Sequence, residues 1–267
     1  MVKRLFRRER ETTHTQPEAT VAEEPELEVE PEREPEHDVP RLEPDDYRAL
    51  RTSFTAAVSH ELRTPLARIM ALLDSAALPG ADVPALLEQA QAEVEQAGEL
   101  IDEILFLSEL ETGGEVVALS ATEARPVLEE VLASLADRAA RAGVELELDC
   151  PEGLTLPLRP RMLRVVAQNL AENAIRYAGH GSTFTLEARA EDATTVVSAR
   201  DDGIGVSQDD LPRLFERFYR ADQARASRGT GLGLAIVKHV VASAGGEVEA
   251  RGERGAGLEV VCTFPRT

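Results

Sequence analysis

The sequence predicts an α+β protein: a helical hairpin, doubled into a four-helix bundle by a second copy of the chain, followed by an α/β domain with a mixed sheet. Three observations carry this. Apolar residues recur at steps of three and four from about Pro44 to Ser108, interrupted once at Leu78–Pro84; that is the helical period broken by Pro and Gly. From about Glu115, short strand-like runs mix with longer helical ones, as in layered α/β domains. Ahead of both lies EEPELEVEPEREPEHDVP, too poor in apolar surface to offset the entropy of ordering. The boundaries that follow are a disordered acidic tail over 1–44, the hairpin over 45–113 and the α/β domain over 114–267.

The first hairpin stripe runs Tyr47, Leu50, Phe54, Val58, Leu62, Leu66, Ile69, Leu73. The second runs Leu87, Ala90, Val94, Ala97, Ile101, Ile104, Leu105, Ser108, and Thr112, Gly113 and Gly114 end it. One hairpin covers such stripes poorly, whereas two make a four-helix bundle, so a homodimer is expected. Further on, strands are expected at Val116–Leu119, Val144–Asp149, Thr183–Ala190, Thr195–Ala199, Glu247–Arg251 and Leu258–Phe264, and helices at Ala124–Ala142, Arg161–Tyr177 and Gly233–Ala244.

Composition narrows the function classes. The net charge is −20, and Gln16–Asp46 holds 13 Asp/Glu against two Arg, a net of −11. A chain this acidic repels phosphate backbones, which argues against nucleic acid as a partner. Cys150 and Cys262 are the two cysteines and stand in no ligand spacing, which fits a reducing compartment. No apolar run approaches the roughly 20 residues that span a bilayer, and the basic opening lacks the apolar segment of a secretory signal. A cytoplasmic location is expected. Lys3, Arg4, Arg7 and Arg8 offer a peripheral contact to anionic lipid, but with the acidic tract following at once they read better as a solvated tail.

The first chemical motif is Ser59-His60-Glu61-Leu62-Arg63-Thr64-Pro65-Leu66. At about 100° per residue, His60 stands about 200° round from Val58 while Leu62 is only about 40° away, so His60 points off the apolar stripe. A neutral imidazole is a good nucleophile near neutral pH, and an adjacent carboxylate can fix its tautomer. Pro65 removes a helical hydrogen bond and bends the axis. A zinc-protease reading fails because the fourth residue after His60 is Thr64, not His.

Three later segments offer a ligand site. In Gln168–Tyr177, Asn169, Asn173 and Arg176/Tyr177 share a helix face, with Val166, Leu170 and Ala174 beside it; amide oxygens suit Mg²⁺ and Arg suits phosphate. Asp201-Asp202-Gly203-Ile204-Gly205-Val206 follows a strand: glycines allow close backbone approach, and a buried carboxylate can accept from an exocyclic amine. Gly229-Thr230-Gly231-Leu232-Gly233-Leu234 opens a helix whose first N–H groups face any phosphate. Its spacing is neither that of a P-loop nor that of a dinucleotide fingerprint. Between the last two, Leu214–Arg220 and the polar stretch to Arg228 read as a lid. Phe215 and Phe218 anchor it, and Arg217 or Arg220 reach terminal phosphates.

Together these segments resemble the H box, N box, first glycine box, F box and second glycine box of sensor histidine kinases, in order, over residues from about 47 to 267. The resemblance implies the helix-over-sheet ATP fold shared with gyrase, Hsp90 and mismatch-repair ATPases. It implies that His60 is phosphorylated, Glu61 is its general base, and Thr64 orients water in dephosphorylation of a partner. It implies that Asp201 recognises adenine, Asn173 holds Mg²⁺, and Asn169, Arg176, Tyr177, Gly203, Gly205, Arg217, Arg220, Gly229, Gly231, Leu232 and Gly233 complete the ATP site. The implied partner is the receiver domain of a response regulator. Ile204 departs from the pattern, standing where Pro is frequent, and the short tail stands where the family usually carries a membrane-spanning sensor. Three rival functions follow: a phosphatase for the regulator, a catalytically silent ATP-binding scaffold, and a gyrase- or Hsp90-like ATPase with water as acceptor. The His-bearing hairpin argues against the last.

Overall fold

The structure, a computed structural model, describes residues 44–112, 121–221 and 229–266, with side chains from Thr55 onward except residue 56. The expected tail, the expected strand Val116–Leu119 and the first stripe positions Tyr47, Leu50 and Phe54 lie outside the described residues or side chains.

The hairpin is α1 (Pro44–Ala76) and α2 (Val83–Glu111). Asp82 caps α2 by accepting from the Ala85 N–H at 3.2 Å, and Pro84 sits in the first turn, where its missing N–H costs nothing. That is why the helix starts inside the expected break. Pro65 lies within α1 with its ring buried. The two helices are tied by Arg68 and the buried Glu93, 3.5 Å apart. The apolar face that α2 buries is offset from the expected stripe. Leu100, Leu107 and Leu110 are buried against the following domain, whereas Val94, Ile101 and Leu105 are exposed.

The second domain is an α/β sandwich. It runs β1 (Thr122–Glu123), α3 (Ala124–Ala142), β2 (Val144–Asp149), β3 (Thr155–Leu156), α4 (Pro160–Tyr177), β4 (Ser182–Ala190), β5 (Thr194–Asp201), α5 (Gly233–Ser243), β6 (Glu247–Glu253) and β7 (Gly257–Pro265). Five strands form one sheet in the order β2-β4-β5-β7-β6; β2 and β4 are parallel and the other neighbours antiparallel. The sheet is mixed, as the sequence predicts. Gly143, left-handed at φ 70°, ends α3. The two-residue strands β1 and β3 pair with each other and are too short to leave a periodic signal.

Phe184, Leu186 and Ala188 of β4 and Val260, Cys262 and Phe264 of β7 alternate inward. They join one core with Leu128, Val131 and Leu135 of α3, Val166, Leu170 and Ala174 of α4, and Ile236, Val237, Val240 and Val241 of α5. The Cys262 thiol is sealed in it, its pKa pushed up by burial to about 12. The beginning and end of the glycine segment 201–206 are pinned by backbone contacts. Gly203 leaves no room for a Cβ beside the Ala178 carbonyl, and Ile204 N–H donates to that same oxygen at 2.9 Å. Gly205 has φ 63°, and a Cβ there would stand 1.9 Å from the Glu253 carbonyl oxygen. Gly205→Ala is therefore expected to cost at least about 1–3 kcal/mol. By thermal unfolding that is a fall in Tm of roughly 2–12 °C; an unchanged Tm would contradict this packing.

Candidate functional site

A cavity of about 220 Å³ opens between α4, the 204–207 segment, the 210–221 segment and the start of α5. α4 supplies Asn169, Glu172, Asn173, Arg176 and Tyr177. The helix presents them because Val166, Leu170 and Ala174, on its other side, are fixed in the core. Asn169 Nδ2 donates to the Val165 carbonyl at 2.8 Å, which leaves its Oδ1 turned toward Gly233, where a Cβ would lie 2.5 Å from it. Glu172 accepts from Arg138 at 2.9 Å and Gln168 at 3.1 Å, with Arg176 3.9 Å away. Apolar walls come from Ile204, Val206, Leu214, Leu234 and Leu258.

The second glycine segment is shaped by the first helix turn of α5 and by the segment carrying Phe218. Gly231, at φ 74°, would drive a Cβ into the Phe218 backbone, and its carbonyl accepts the Phe218 N–H at 2.9 Å. Phe218 itself has a positive φ of 62°. Phe215 and Phe218 pack against the core, the anchoring role expected of them. Thr230 Oγ1 accepts the Leu232 N–H at 3.2 Å, capping the approach to α5.

The expected site residues do not all converge. Asn169, Asn173, Arg176, Tyr177, Gly205, Arg220, Gly231 and Gly233 line the cavity. Gly229 stands just behind it, in contact range of the Tyr177 hydroxyl and Arg176. Leu232 is fully buried and serves the core. Gly203 packs on Ala178. Asp201 is not a lining residue: its Oδ1 accepts the Gly203 N–H at 3.0 Å, so its carboxylate braces the turn. Arg217 is paired with Glu111 of α2 and does not line the cavity. The polar stretch 222–228 lies outside the described residues.

His60 is exposed, its side chain 75% accessible, with Nδ1 3.6 Å from Glu61 Oε1. That is beyond hydrogen-bond length. Thr64 Oγ1 donates to the His60 carbonyl at 3.3 Å. His60, Glu61 and Thr64 line neither this cavity nor a cleft of about 710 Å³ that lies beside it along α2.

Several lining residues went unnoticed in the sequence. Tyr219 donates to Asp210 Oδ1 at 2.5 Å, Ser207 donates to Asp210 Oδ2 at 2.6 Å, and Arg213 stacks 4.1 Å over the Tyr219 ring. The Ser207 and Tyr219 hydroxyls hold the Asp210 carboxyl below its ordinary range. Arg254 reaches the cavity from the β6–β7 turn, which is stapled to the glycine segment by Gly255 N–H donating to the Ile204 carbonyl at 2.8 Å. Glu103 reaches it from α2. Tyr219 falls within the expected lid segment Leu214–Arg220, but no local motif marks Ser207, Asp210, Arg254 or Glu103; only the tertiary contacts bring them in.

Comparison with known proteins agrees with this layout. Residues 159–267 match the family described as histidine kinase-, DNA gyrase B-, and HSP90-like ATPase, and residues 50–113 match the His kinase A (phospho-acceptor) domain. Sensor-like histidine kinase SenX3 of Mycobacterium tuberculosis is 34% identical over 223 residues, 81% of this chain and 54% of that protein. The chain thus spans about half the length of the curated relatives it matches. Among solved structures, histidine kinase ThkA in complex with response regulator protein TrrA superposes with a TM-score of 0.67 at 18% identity, covering 84% of this chain and 64% of that one; at that identity the likeness is one of fold. Full-length ShkA in complex with AMPPNP gives 0.58 at 30% identity, covering 79% of this chain and 45% of that one. The chain belongs to the sensor histidine kinases of two-component systems. Among the described residues, no helix is long and apolar enough to cross a membrane.

Asp201 gives a pH test of the brace. Burial pushes its carboxyl above the ordinary 3.8, and Asp202 adds to the rise, while the N–H groups of Gly203 and Leu258 pull the other way. A carboxyl that binds its proton more tightly folded than unfolded adds stability below 3.8, which is lost as pH rises through the raised value. Asp201→Asn abolishes that titration. The Tm of wild type minus that of Asp201→Asn is expected to grow as pH falls from about 7 toward about 4; a gap that stays flat would contradict the buried carboxyl.

Proposed function

We propose that this chain is an ATP-dependent histidine autokinase that phosphorylates His60 and passes the phosphoryl group to an Asp of a response-regulator receiver domain. The observation that carries the reading is the cavity on α4, where amide and carboxylate oxygens, arginines and the glycine-rich start of α5 surround a space with apolar walls. Such a set fits a nucleotide: apolar side chains for the base, and helix N–H groups and Arg for the phosphates. ShkA, at 30% identity, was solved with an ATP analogue, which supports ATP as the nucleotide here. Asn173, with Asn169 and Glu172 on the same face, is the oxygen set for a Mg²⁺ that would offset charge on the phosphates.

The chemistry asked of the protein is alignment. The Nε2 lone pair of neutral His60 attacks the γ-phosphorus; the N–P bond forms as the bond to the β-phosphate oxygen breaks, and ADP leaves. Glu61 takes up the Nδ1 proton as positive charge builds on the ring. Arg176 and Arg220, both at the cavity, offset the charge on the equatorial oxygens. In the second step the N–P bond breaks as a carboxylate oxygen of the receiver Asp takes the phosphoryl group, and the imidazole recovers its proton. ThkA was solved with a response regulator; that likeness, and the exposure of His60, support a receiver as the second acceptor. Asp201 is assigned to adenine recognition in this scheme, through the carboxylate that also holds the turn.

The same reading assigns 45–113 to dimerisation and phosphotransfer and 114–267 to ATP binding, with both parts in the cytoplasm, where ATP is available. The homodimer has support in exposed apolar side chains on both hairpin helices: Leu66 57%, Met70 60%, Ile101 44% and Leu105 56% accessible. Such a stripe on a soluble hairpin calls for a cover.

With γ-labelled ATP and Mg²⁺, the chain is expected to gain an acid-labile, base-stable label that His60→Ala abolishes and Asn173→Ala reduces by about 100-fold or more. Label that survives His60→Ala would overturn the acceptor. In analytical ultracentrifugation, the double substitution Ile101→Glu and Leu105→Glu is expected to convert dimer to monomer; an intact dimer would place the interface elsewhere.

A further inference from the structure

The hairpin does more than carry the phospho-acceptor: one face of α2 is seated on the nucleotide cavity. Glu103 lines both the 220 Å³ cavity and a larger cleft of about 710 Å³ beside it. Its carboxylate accepts the Thr230 hydroxyl at 2.5 Å, immediately before the first turn of α5. Eight residues on, and so on the same side of the helix, Glu111 is paired with Arg217. Between them, the ring of Phe106 lies 5.4 Å under the Arg161 guanidinium, while Leu107 and Leu110 enter the core. The docked face is a line of anchors flanked by carboxylates.

These carboxylates sit on the groups that a nucleotide's phosphates need. Thr230 and the N–H groups that follow it, together with Arg176, are the anion-binding end of the cavity on the reading proposed above. Arg176 attracts the Glu103 carboxylate, and Glu172 and Glu99 repel it. Burial raises the Glu103 carboxyl above its ordinary range, against the pull of the Thr230 hydroxyl and Arg176, so it stands where charge is costly to hold. A triphosphate and an ionised Glu103 in one partly dehydrated site repel each other strongly. In this docked arrangement no described side chain of α1, His60 included, lines either space.

We propose that α2 is an intrachain competitor of the nucleotide: Glu103 occupies the phosphate end of the site through Thr230, Glu111 holds Arg217, and phosphate binding and α2 docking exclude one another. The inference rests on the cavity being a nucleotide site. The two anionic occupants need the same donors, so each weakens the other by the same factor. Whatever loosens α2 from Thr230 raises nucleotide affinity.

The test is the affinity of the full chain for AMPPNP with Mg²⁺, measured by calorimetry for wild type, Glu103→Gln, and Glu103→Gln with Glu111→Gln. Glu145→Gln, on an exposed position of β2, controls for net charge. Glu103→Gln is expected to bind about 5–50-fold more tightly and the double variant more tightly again, with Glu145→Gln unchanged. Equal or weaker binding by Glu103→Gln would overturn the competitor and leave the nucleotide site standing. No binding by wild type or any variant would instead overturn the nucleotide reading, and the inference with it. Hydrogen exchange on the unsubstituted chain gives an independent check: AMPPNP is expected to speed exchange in residues 96–111, and unchanged or slower exchange there would overturn the proposal.

Discussion

The apolar face of α4 is locked against the sheet through Val166, Leu170 and Ala174, and a helix that rigid has no freedom over where its other face points. Asn169, Glu172, Asn173 and Arg176 must therefore stand at the cavity. The rest of the site is built up to that face. The 201–206 turn is clamped to the end of α4 by the Ala178 carbonyl, and α5 comes close enough for Gly233 to touch Asn169. Each glycine in the two segments sits where a Cβ would strike backbone or a side chain the site uses, so steric exclusion does much of the positioning. Loosening α4 would dismantle the donor set without touching a single donor.

Much of this was legible in the sequence, because long periodic segments and glycine-rich turns leave strong local signals. α3 and β2 fall where the pattern puts them, bounded by Gly143. The gathering of Asn169, Asn173 and Arg176 follows from helical spacing alone. What was not legible depends on contacts far apart in the chain. α2 carries two apolar faces about one residue's rotation apart, and the pattern gives no means of deciding which one meets the catalytic domain. Leu100, Leu107 and Leu110 do, while Ile101 and Leu105 stay exposed. Arg217 was expected among the phosphate contacts and is instead held by Glu111, 106 residues away. Asp210 and Arg254 come in through the folding of turns with no motif of their own.

Charge ties the two halves together. The cleft beside the cavity is lined by Glu95, Glu99 and Asp102 of α2 and by Arg138, Arg161 and Arg176 of the following domain, and of these Arg176 also lines the cavity. On the proposed reading, a hairpin that competes with the nucleotide for Arg176 and Thr230 relates where the domain sits to what it binds. That relation requires no added domain, only the register of α2 on the cavity.

The most direct measurement is a crystal structure of the chain with AMPPNP and Mg²⁺. The account predicts phosphates against the first turn of α5, the metal on Asn173, and Glu103 withdrawn from Thr230. Nucleotide bound away from α4, or phosphates seated with Glu103 still hydrogen-bonded to Thr230, would contradict it.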